Sequence, residues 1–491
     1  MELVSTRNIK KNVSPTYAIA HGLSSDGGLF APISFPKFTR EDITGLTNCS
    51  YSELVASIAE PFLSDFSPDE LRAFTASAYR NFPQDAAPVV SLGGNVHVLE
   101  LFHGPTYAFK DFALQLLPHL LNASLRKLGT NKTALILTAT SGDTGSAALS
   151  GFSNVKGTKI CVFYPYSGIS NIQRLQMTSM DAENIRVIGL KGNFDDAQSG
   201  VKRIFGDYEL AEHLSEKGYI LSSANSINWG RIVPQIAYYF SAYAALLRSN
   251  IVKNTDLINI AVPTGNFGNI LAAYYAKKCG LPVHKLICAS NVNNVLTDFI
   301  NTGVYDKNRR FHITLSPSMD ILISSNLERF LFDLHGYNDG EIRIPMDSLA
   351  NTGRYEVTPA KLLDMQDSFY AGYANDADTL KTICDIWQKN GYLSDTHTAV
   401  GIKVHEDYVR TTGDNTHTII AATASPFKFA DSALEALSAA NIGDDFEKLR
   451  SLSEISGVKL PDSLMELSER EERHKIVCEP GEMKDRVLEW L

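Results

Sequence analysis

The feature that most constrains the fold begins at residue 133, where short apolar runs start to alternate with glycine-rich turns and helical segments. Runs of this length that are nearly continuous in apolar residues are typical of strands in a sheet covered on both faces. Their alternation with helices predicts an α/β fold with mainly parallel, doubly wound sheets. The runs lie at residues 134–139, 159–164, 185–190, 257–262, 285–289 and 419–423.

The same pattern divides the chain into three parts. Residues 1–92 read as a unit of their own and predict a small N-terminal cap domain. Residues 93–445 predict a main region of two α/β lobes, of which the smaller covers about 133–215. The tail, residues 446–491, is charged and mixed, and we expect a peripheral C-terminal extension.

Charge and cysteine usage limit the partners. With 45 basic and 55 acidic residues the net charge is −10, which argues against nucleic acid and membranes as partners but allows a small anionic substrate. The six cysteines are scattered without a CxxC pair, so we expect neither a metal site nor a disulfide framework. Because the first residues lack an apolar signal segment, we expect a cytoplasmic protein.

One lysine stands in an unusually apolar stretch. Residues 101–112 read LFHGPTYAFKDF, which surrounds Lys110 with aromatic and methyl groups. Poor solvation lowers the pKa of an ammonium, so this lysine suits Schiff-base chemistry near neutral pH. The alternative is an ordinary lysine that extends from a helix face into solvent.

Two glycine-rich turns follow predicted strands, SGDTG at 141–145 and GNFGN at 265–269. Glycine lets the backbone approach a ligand, and amides at a helix start bind anions. The second turn is therefore a candidate phosphate site. In the first, the negative charge of Asp143 opposes a phosphate, so we expect a different ligand there. The alternative for either turn is a simple connection between elements.

Rival cofactors lack their sequence signatures. Neither turn has the GxGxxG of dinucleotide-binding folds, and GFSNVKGTK at 151–159 departs from the phosphate loop of nucleotide hydrolases in spacing and order. A reactive lysine, a phosphate site and an α/β frame together favour pyridoxal phosphate.

Five motifs then carry a specific resemblance: LFHGPTYAFKDF, TATSGDTGSAA, SSANSINWGR, VPTGNFGN and TASPFKF. In this order and spacing the chain resembles the threonine synthase family of pyridoxal-phosphate-dependent fold type II enzymes. SSDGGLFAP and SPSMDILISSNLERF also match, so the similarity covers about the first 430 residues. The resemblance implies fold type II, with two doubly wound lobes and a cap domain, and conversion of O-phospho-L-homoserine and water to L-threonine and phosphate.

The resemblance also implies roles for individual residues. Lys110 is the expected Schiff-base lysine and proton shuttle, and Thr423 the expected hydroxyl partner of the pyridine nitrogen. Asp143 is expected on the O3′ side of the cofactor or by the substrate carboxylate. His103 is either a second acid/base or a structural histidine. The expected cofactor-phosphate ligands are Gly265, Asn266, Phe267, Gly268 and Asn269, and the expected substrate contacts are Ser141, Thr144, Asn225, Asn228 and Arg174.

One segment departs from the family pattern. Residues 164–173 read YPYSGISNIQ, without the cation that relatives carry at the place of Tyr166 or Gly168. Losing a charge-assisted bond to phosphate costs about 1.5 to 3 kcal/mol. The departure means weaker binding, a different leaving group, drift in a loop, or a substitute cation, for which the candidates are Arg174, Arg231 and Arg329.

Three functions therefore stand beside one another. The first is a threonine synthase acting on a small amino acid, as a monomer or a homodimer. The second is a pyridoxal phosphate eliminase or γ/β-replacement enzyme that acts on another γ-activated amino acid. The third is a non-catalytic homologue that binds the cofactor as a sensor or carrier.

Overall fold

A computed structural model describes residues 1–167, 169–439 and 442–491. The strands, in chain order, are β1 Leu3–Ser5, β2 Asn8–Val13, β3 Phe30–Pro32, β4 Val89–Gly93, β5 Val96–Glu100, β6 Thr133–Ala139, β7 Thr158–Pro165, β8 Ile185–Leu190, β9 Tyr219–Ser222, β10 Ile258–Pro263, β11 Val283–Ser290, β12 Val304–Asp306, β13 Arg354–Glu356, β14 Phe369–Tyr373, β15 Thr418–Ala422 and β16 Ile476–Cys478.

The α-helices, in chain order, are α1 Pro15–His21, α2 Arg40–Gly45, α3 Tyr51–Ala59, α4 Pro68–Tyr79, α5 Lys110–Leu114, α6 Leu117–Lys127, α7 Asp143–Phe152, α8 Asn171–Thr178, α9 Phe194–Phe205, α10 Tyr208–Glu216, α11 Trp229–Arg248, α12 Gly268–Lys278, α13 Val295–Thr302, α14 Leu327–Leu334, α15 Asp339–Asn351, α16 Pro359–Ser368, α17 Asp376–Asn390, α18 Thr396–Thr412, α19 Ala430–Ala436, α20 Asp445–Ser456, α21 Asp462–Met465 and α22 Met483–Trp490. Short 3-10 turns lie at Leu46–Asn48, Glu60–Phe62, Pro317–Met319, Pro426–Phe429 and Glu466–Ser468.

The larger sheet has six strands in the order β14-β11-β10-β15-β5-β4. All neighbours are parallel except β4, which runs antiparallel to β5 at the edge. Every residue of β10 and β15 is buried, as expected of central strands covered by helices on both faces. The predicted runs at 257–262 and 419–423 are therefore strands at the centre of this sheet.

The smaller sheet has five parallel strands in the order β16-β8-β7-β6-β9. Two of them lie outside the lobe predicted at 133–215. β9 follows that boundary directly, whereas β16 comes from the tail and pairs with β8 at the edge of the sheet. The tail thus contributes a strand to the smaller sheet and does more than extend from the surface. The mainly parallel α/β prediction is confirmed.

The N-terminal part packs into the core of the main region. Its antiparallel sheet, β2-β1-β3, and its helices share one buried apolar cluster with α11. A largely buried ion pair adds to this packing, because Arg7 donates two hydrogen bonds to Glu328, at 2.9 and 2.8 Å. Thr6 Oγ1 donates a third, at 2.6 Å.

Helix α11 is the longest helix of the described chain and is buried along most of its length. Tyr238, Tyr239, Phe240 and Tyr243 are all fully buried. Its first turn is fixed by Asn228, whose side chain accepts a hydrogen bond from the amide of Gly230 at 2.9 Å. Within the described residues, no helix combines the length and the apolar character needed to cross a membrane.

Candidate active site

The carboxyl ends of the central parallel strands converge on Lys110, the first residue of α5. The backbone amide of Phe109 donates to the carbonyl of Thr423 at 2.9 Å, which attaches the start of α5 to the end of β15. Ala108 forms an isolated bridge with Ala424 beside this bond. Ligands of open α/β sheets bind at this edge, so Lys110 occupies the expected place for a ligand-binding side chain.

Lys110 is 9% exposed, and its burial lowers the pKa of the ammonium. The positive charges of Lys428 and Arg231 act in the same direction, while the carboxylate of Asp143 opposes them. Burial thus acts in the direction expected from the apolar sequence context, although the charged neighbours were not anticipated. A neutral amine is therefore accessible at a lower pH than for an exposed lysine.

Asp143 begins α7 after the end of β6 and contacts side chains of both lobes. Lys428 Nζ lies 2.8 Å from its Oδ1, and Lys110 Nζ lies 3.6 Å from its Oδ2. Gln173 Nε2 donates to Oδ1 at 2.9 Å. Burial alone raises the pKa of Asp143, but the two lysines outweigh it and hold the pKa below its usual range. Asp143 is thus a buried carboxylate and faces cations, as expected for a turn that does not bind phosphate.

Ser318 links the reactive lysine to this carboxylate. Its Oγ accepts a hydrogen bond from Lys110 Nζ and donates one to Asp143 Oδ2, both at 3.3 Å. The amide of Ser318 donates to His397 Nε2 at 3.1 Å, and His397 Nδ1 lies 3.0 Å from Asp395 Oδ1. Both His397 and Asp395 are almost fully buried. They hold the Ser318 turn, and through it the hydroxyl, beside Lys110.

The sequence patterns predicted no role for Lys428, Ser318 or His397. A signal existed for the first two, since Lys428 lies in TASPFKF and Ser318 in SPSMDILISSNLERF, the motifs that carry the resemblance. His397 lies in neither motif. Its role depends on the fold bringing the start of α18 against the Ser318 turn.

The GNFGN turn joins β10 to α12 in the way a phosphate site requires. Phe267 takes a left-handed conformation with φ 58° as the N-cap of α12. Within the described chain, the amides of residues 265–269 donate no hydrogen bond to another protein group. Several unpartnered amides at a helix start form an anion site. A Cβ on Gly265 would lie 2.7 Å from the carbonyl oxygen of Ser318, so only glycine fits this close approach.

Asn269 contributes a further donor to this turn. Its Oδ1 accepts a hydrogen bond from Tyr238 at 2.6 Å and another from Tyr239. Its Nδ2 is buried and has no partner among the described residues. An amide held in this way by two tyrosines presents its N–H groups to a ligand. The residues of the turn therefore fit the phosphate of pyridoxal phosphate.

Thr423 follows β15 and is 6% exposed. It lies one strand away from the GNFGN turn, because β15 pairs with β10, and its carbonyl is bonded to the start of α5. Thr423, Lys110 and the GNFGN turn therefore lie at one edge of the larger sheet.

The expected substrate contacts fall into two groups. Ser141 and Thr144 flank Asp143 and are partly exposed, as is Asn225 in the loop before α11. Asn228 is fully buried, and its Nδ2 donates to the carbonyl of Ile19 at 2.9 Å. Because its Oδ1 also caps α11, the Asn228 side chain ties that helix to the N-terminal part.

The three candidate arginines differ in the partners they already have. Arg174 pairs with Glu472 and donates to Asn171. Arg329 donates Nε and both terminal nitrogens to Phe30, Asn326 and Ile227. Each of these two side chains is therefore already bound within the protein.

Arg231, the third residue of α11, is 3% exposed. Its Nη1 donates to the carbonyl of Ala224 at 2.5 Å, while its Nε is buried and has no partner within the described residues. No carboxylate of the described chain lies within ion-pair distance of it. Burial lowers the pKa of Arg231 to about 10, so the guanidinium remains charged at neutral pH. A buried, unbalanced cation whose charge acts on Lys110 is suited to bind an anion.

The segment that departs from the family pattern is described only in part. Tyr166 is 54% exposed and its amide donates to the carbonyl of Leu190 at 2.9 Å, while Gly168 lies outside the described residues.

His103 Nε2 lies 2.7 Å from Glu100 Oε2. Its side chain is 32% exposed, far more than that of His397.

Comparison with known proteins gives a consistent result over the whole chain. Family models described as "Threonine synthase N terminus", "Pyridoxal-phosphate dependent enzyme" and "Threonine synthase, C-terminal" match residues 2–79, 78–419 and 398–487. The chain is 39% identical to threonine synthase of Pseudomonas aeruginosa, over 98% of this chain and 96% of that protein.

Solved structures of threonine synthases are similar to this chain over its whole length. The crystal structure of pyridoxal-phosphate-bound threonine synthase from Brucella melitensis matches with a TM-score of 0.87 and 37% identity, over 100% of this chain and 98% of that one. The structure of threonine synthase from yeast matches with a TM-score of 0.88 and 34% identity, again over 100% and 98%.

Proposed function

Because the chain belongs to the pyridoxal-phosphate-dependent threonine synthase family, we propose that it converts O-phospho-L-homoserine and water to L-threonine and phosphate. The chain is a fold type II lyase that uses pyridoxal phosphate. The observation that carries the proposal is the position of Lys110. A buried lysine whose pKa is lowered stands at the same sheet edge as a turn of unpartnered amides.

The chain's own residues account for cofactor binding. The amides of residues 265–269 and Asn269 Nδ2 would hold the phosphate, the Thr423 hydroxyl would serve the ring nitrogen, and Asp143 would serve the O3′ side or the substrate carboxylate. When bound, pyridoxal phosphate withdraws electrons from the amino acid and acidifies its α and then its β carbon-hydrogen bonds. These assignments are supported by the unused donors of the turn. They are also supported by the pairing of β15 with β10, which brings Thr423 close to the turn.

Lys110 serves as the base that moves protons between the substrate carbons. It must be neutral to accept a proton, and its burial together with the positive charges of Lys428 and Arg231 favours that state. Ser318 accepts a hydrogen bond from the amine and so orients its lone pair. Because the amide of Ser318 donates to His397, the Ser318 hydroxyl is held beside the amine.

We propose that Arg231 binds the phosphate that leaves. Arg174 and Arg329 have partners for their donors, whereas Arg231 has an unused buried Nε and lacks a carboxylate partner in the described chain. Ser141, Thr144 and Asn225 stay our candidate contacts to the rest of the substrate. Asn228 and Arg174 have an indirect role. Asn228 caps α11, and Arg174 holds the segment around Glu472.

The direct test is an assay of purified protein with O-phospho-L-homoserine, in which phosphate and threonine are measured together. We expect both products in equal amounts and neither from Lys110→Ala. Turnover of a different γ-activated amino acid alone would identify the eliminase, and cofactor binding without turnover of any candidate would identify the carrier. If the wild type binds no cofactor through Lys110, the proposal is wrong.

A second assay tests Arg231. Losing one charge-assisted bond to phosphate costs about 1.5 to 3 kcal/mol, so Arg231→Met should raise the KM about 10- to 150-fold. Arg248→Met is the matched control, because Arg248 ends the same helix and is exposed. If Arg174→Met raises the KM more than Arg231→Met does, the phosphate is bound at α8 and our choice is incorrect.

We further propose that the enzyme works in the cytoplasm on a small amino acid, as a monomer or a homodimer. All six cysteines are within the described residues and none forms a disulfide, which fits a reducing compartment. Light scattering of the purified chain distinguishes the monomer from the homodimer.

A further inference from the structure

We propose that Lys428 is a positioning residue that keeps Lys110 in its uncharged, reactive form by occupying Asp143. The inference rests on the proposed function of Lys110. Lys428 lies in the turn Pro426–Phe429 after β15, and its side chain is 0% exposed. Its Nζ lies 2.8 Å from Asp143 Oδ1 and donates to the carbonyl of Thr106 at 2.9 Å. It therefore lies within bonding distance of the carboxylate that also faces Lys110.

The buried charges around Asp143 determine which state of Lys110 is favoured. Lys428 and Asp143 form a close pair whose charges cancel. Lys110 is farther from the carboxylate, at 3.6 Å, and Ser318 Oγ is within 3.3 Å of both. An ammonium at Lys110 would therefore be an additional buried charge without a carboxylate of its own, which burial disfavours. The cluster is electrically balanced only when Lys110 is a neutral amine.

Other charged groups around the cluster do not restore this balance. Arg231 adds a second positive charge near Lys110, and His397 lies close enough to influence Asp143. Asp111 is the next residue of α5, but its two oxygens accept hydrogen bonds from the amide and hydroxyl of Thr106, at 2.8 and 2.7 Å. Burial raises the pKa of Asp111 to about 6. The carboxylate shared by the two lysines remains that of Asp143.

Removal of Lys428 should reverse the state of Lys110. In Lys428→Met, Asp143 has lost its nearer cation, so Lys110 becomes its partner and keeps its proton to a higher pH. We expect the midpoint of Lys110 deprotonation to rise by about one pH unit or more, so that the variant reaches the wild-type fraction of free amine only at a correspondingly higher pH. Lys428→Arg keeps the charge and should stay close to the wild type.

The measurement is the pH dependence of trace acetylation at Lys110 in the full-length, cofactor-free chain, quantified by mass spectrometry between pH 6 and 11. The readout needs neither cofactor nor turnover, so it stands apart from the assay of the proposed function. Lys448→Met is the matched control, since Lys448 pairs with Asp431 at 2.7 Å outside the site. Its acetylation curve at Lys110 should be that of the wild type.

Two further variants make the test decisive. Asp143→Asn with Lys428→Met removes both charges and should return the Lys110 midpoint toward the wild-type value. Asp143→Asn alone leaves Lys428 uncompensated and should lower the midpoint, which gives an answer even if Lys428→Met does not fold. An unchanged midpoint in folded Lys428→Met, or in Asp143→Asn, overturns the inference. A shifted midpoint in a chain that makes no threonine would support the inference and reject the proposed function.

Discussion

Replacing Gly265 by alanine tests the phosphate site at its tightest point. The new Cβ would lie 2.7 Å from the carbonyl oxygen of Ser318 and 3.4 Å from the Cα of Met319. The first distance is too short for a real contact, and the obstacle is backbone, which no side-chain rotation removes. One of the two loops must therefore move, and either movement alters the site.

The size of the effect follows from that distance. To reach an ordinary contact of 3.4 Å, the backbone must retreat by about 0.7 Å. Hydrogen bonds from amides to phosphate are about 2.8 Å long, and the same displacement lengthens them beyond effective range. The loss of one such bond costs about 1.5 to 3 kcal/mol, so we expect pyridoxal phosphate to bind about 10- to 150-fold more weakly.

The assay is a fluorescence titration of the cofactor-free full-length chain with pyridoxal phosphate. Gly45→Ala is the matched control, because a Cβ at Gly45 meets no atom within 4 Å and the residue ends the surface helix α2. That variant should bind the cofactor as the wild type does. If Gly265→Ala has a wild-type Kd and a wild-type melting temperature, the turn is not the phosphate site and the cofactor assignment fails.

Three further outcomes are expected. Tyr166→Lys should lower the KM for O-phospho-L-homoserine by a smaller factor than Arg231→Met raises it; a larger decrease would show that the missing loop cation matters more. The pKa of Asp111 is raised to about 6, so the native chain holds a proton that the unfolded chain releases near pH 4. The contribution of Asp111 to the free energy of unfolding should therefore fall as pH rises from about 4 through 6, so the difference in that free energy between the wild type and Asp111→Asn should decrease between urea titrations at pH 4.5 and 7. Glu328→Gln, which weakens the bonds from Arg7, should lower the free energy of unfolding by about 1 to 3 kcal/mol in the same titrations.

Features carried by one contiguous stretch were predictable from sequence. The apolar runs, the GNFGN turn and the apolar surroundings of Lys110 can each be recognised within about ten residues. This is because residues close in sequence determine the burial of a strand, the approach of the backbone to a ligand and the solvation of a side chain. The resemblance then added the family, since motifs in a fixed order carry more information than any one of them.

Features formed by contacts between residues far apart in the sequence were not predictable. Asp143, Ser318 and Lys428 are separated by more than one hundred residues at each step, yet they meet around a single carboxylate. The order of strands in the sheets determines such contacts, and a pattern of apolar residues does not specify that order. The same reason applies to β16, whose short and partly exposed sequence gives no sign that it extends the smaller sheet.

The fold also bears on which group leaves the substrate, because it determines which cation can bind a leaving phosphate. In sequence it arises from residues 164–173, because a loop without a cation suggests a lost phosphate contact. In the fold, a cation stands in the first turn of α11 instead, where Arg231 keeps an unused buried donor. The positive end of the helix dipole adds to its charge, and burial prevents water from screening it. A buried cation of this kind stabilises an anion more than an exposed loop lysine does. The lack of a cation within residues 164–173 is therefore compatible with phosphate as the leaving group, and the KM of Arg231→Met tests whether Arg231 provides the missing contact.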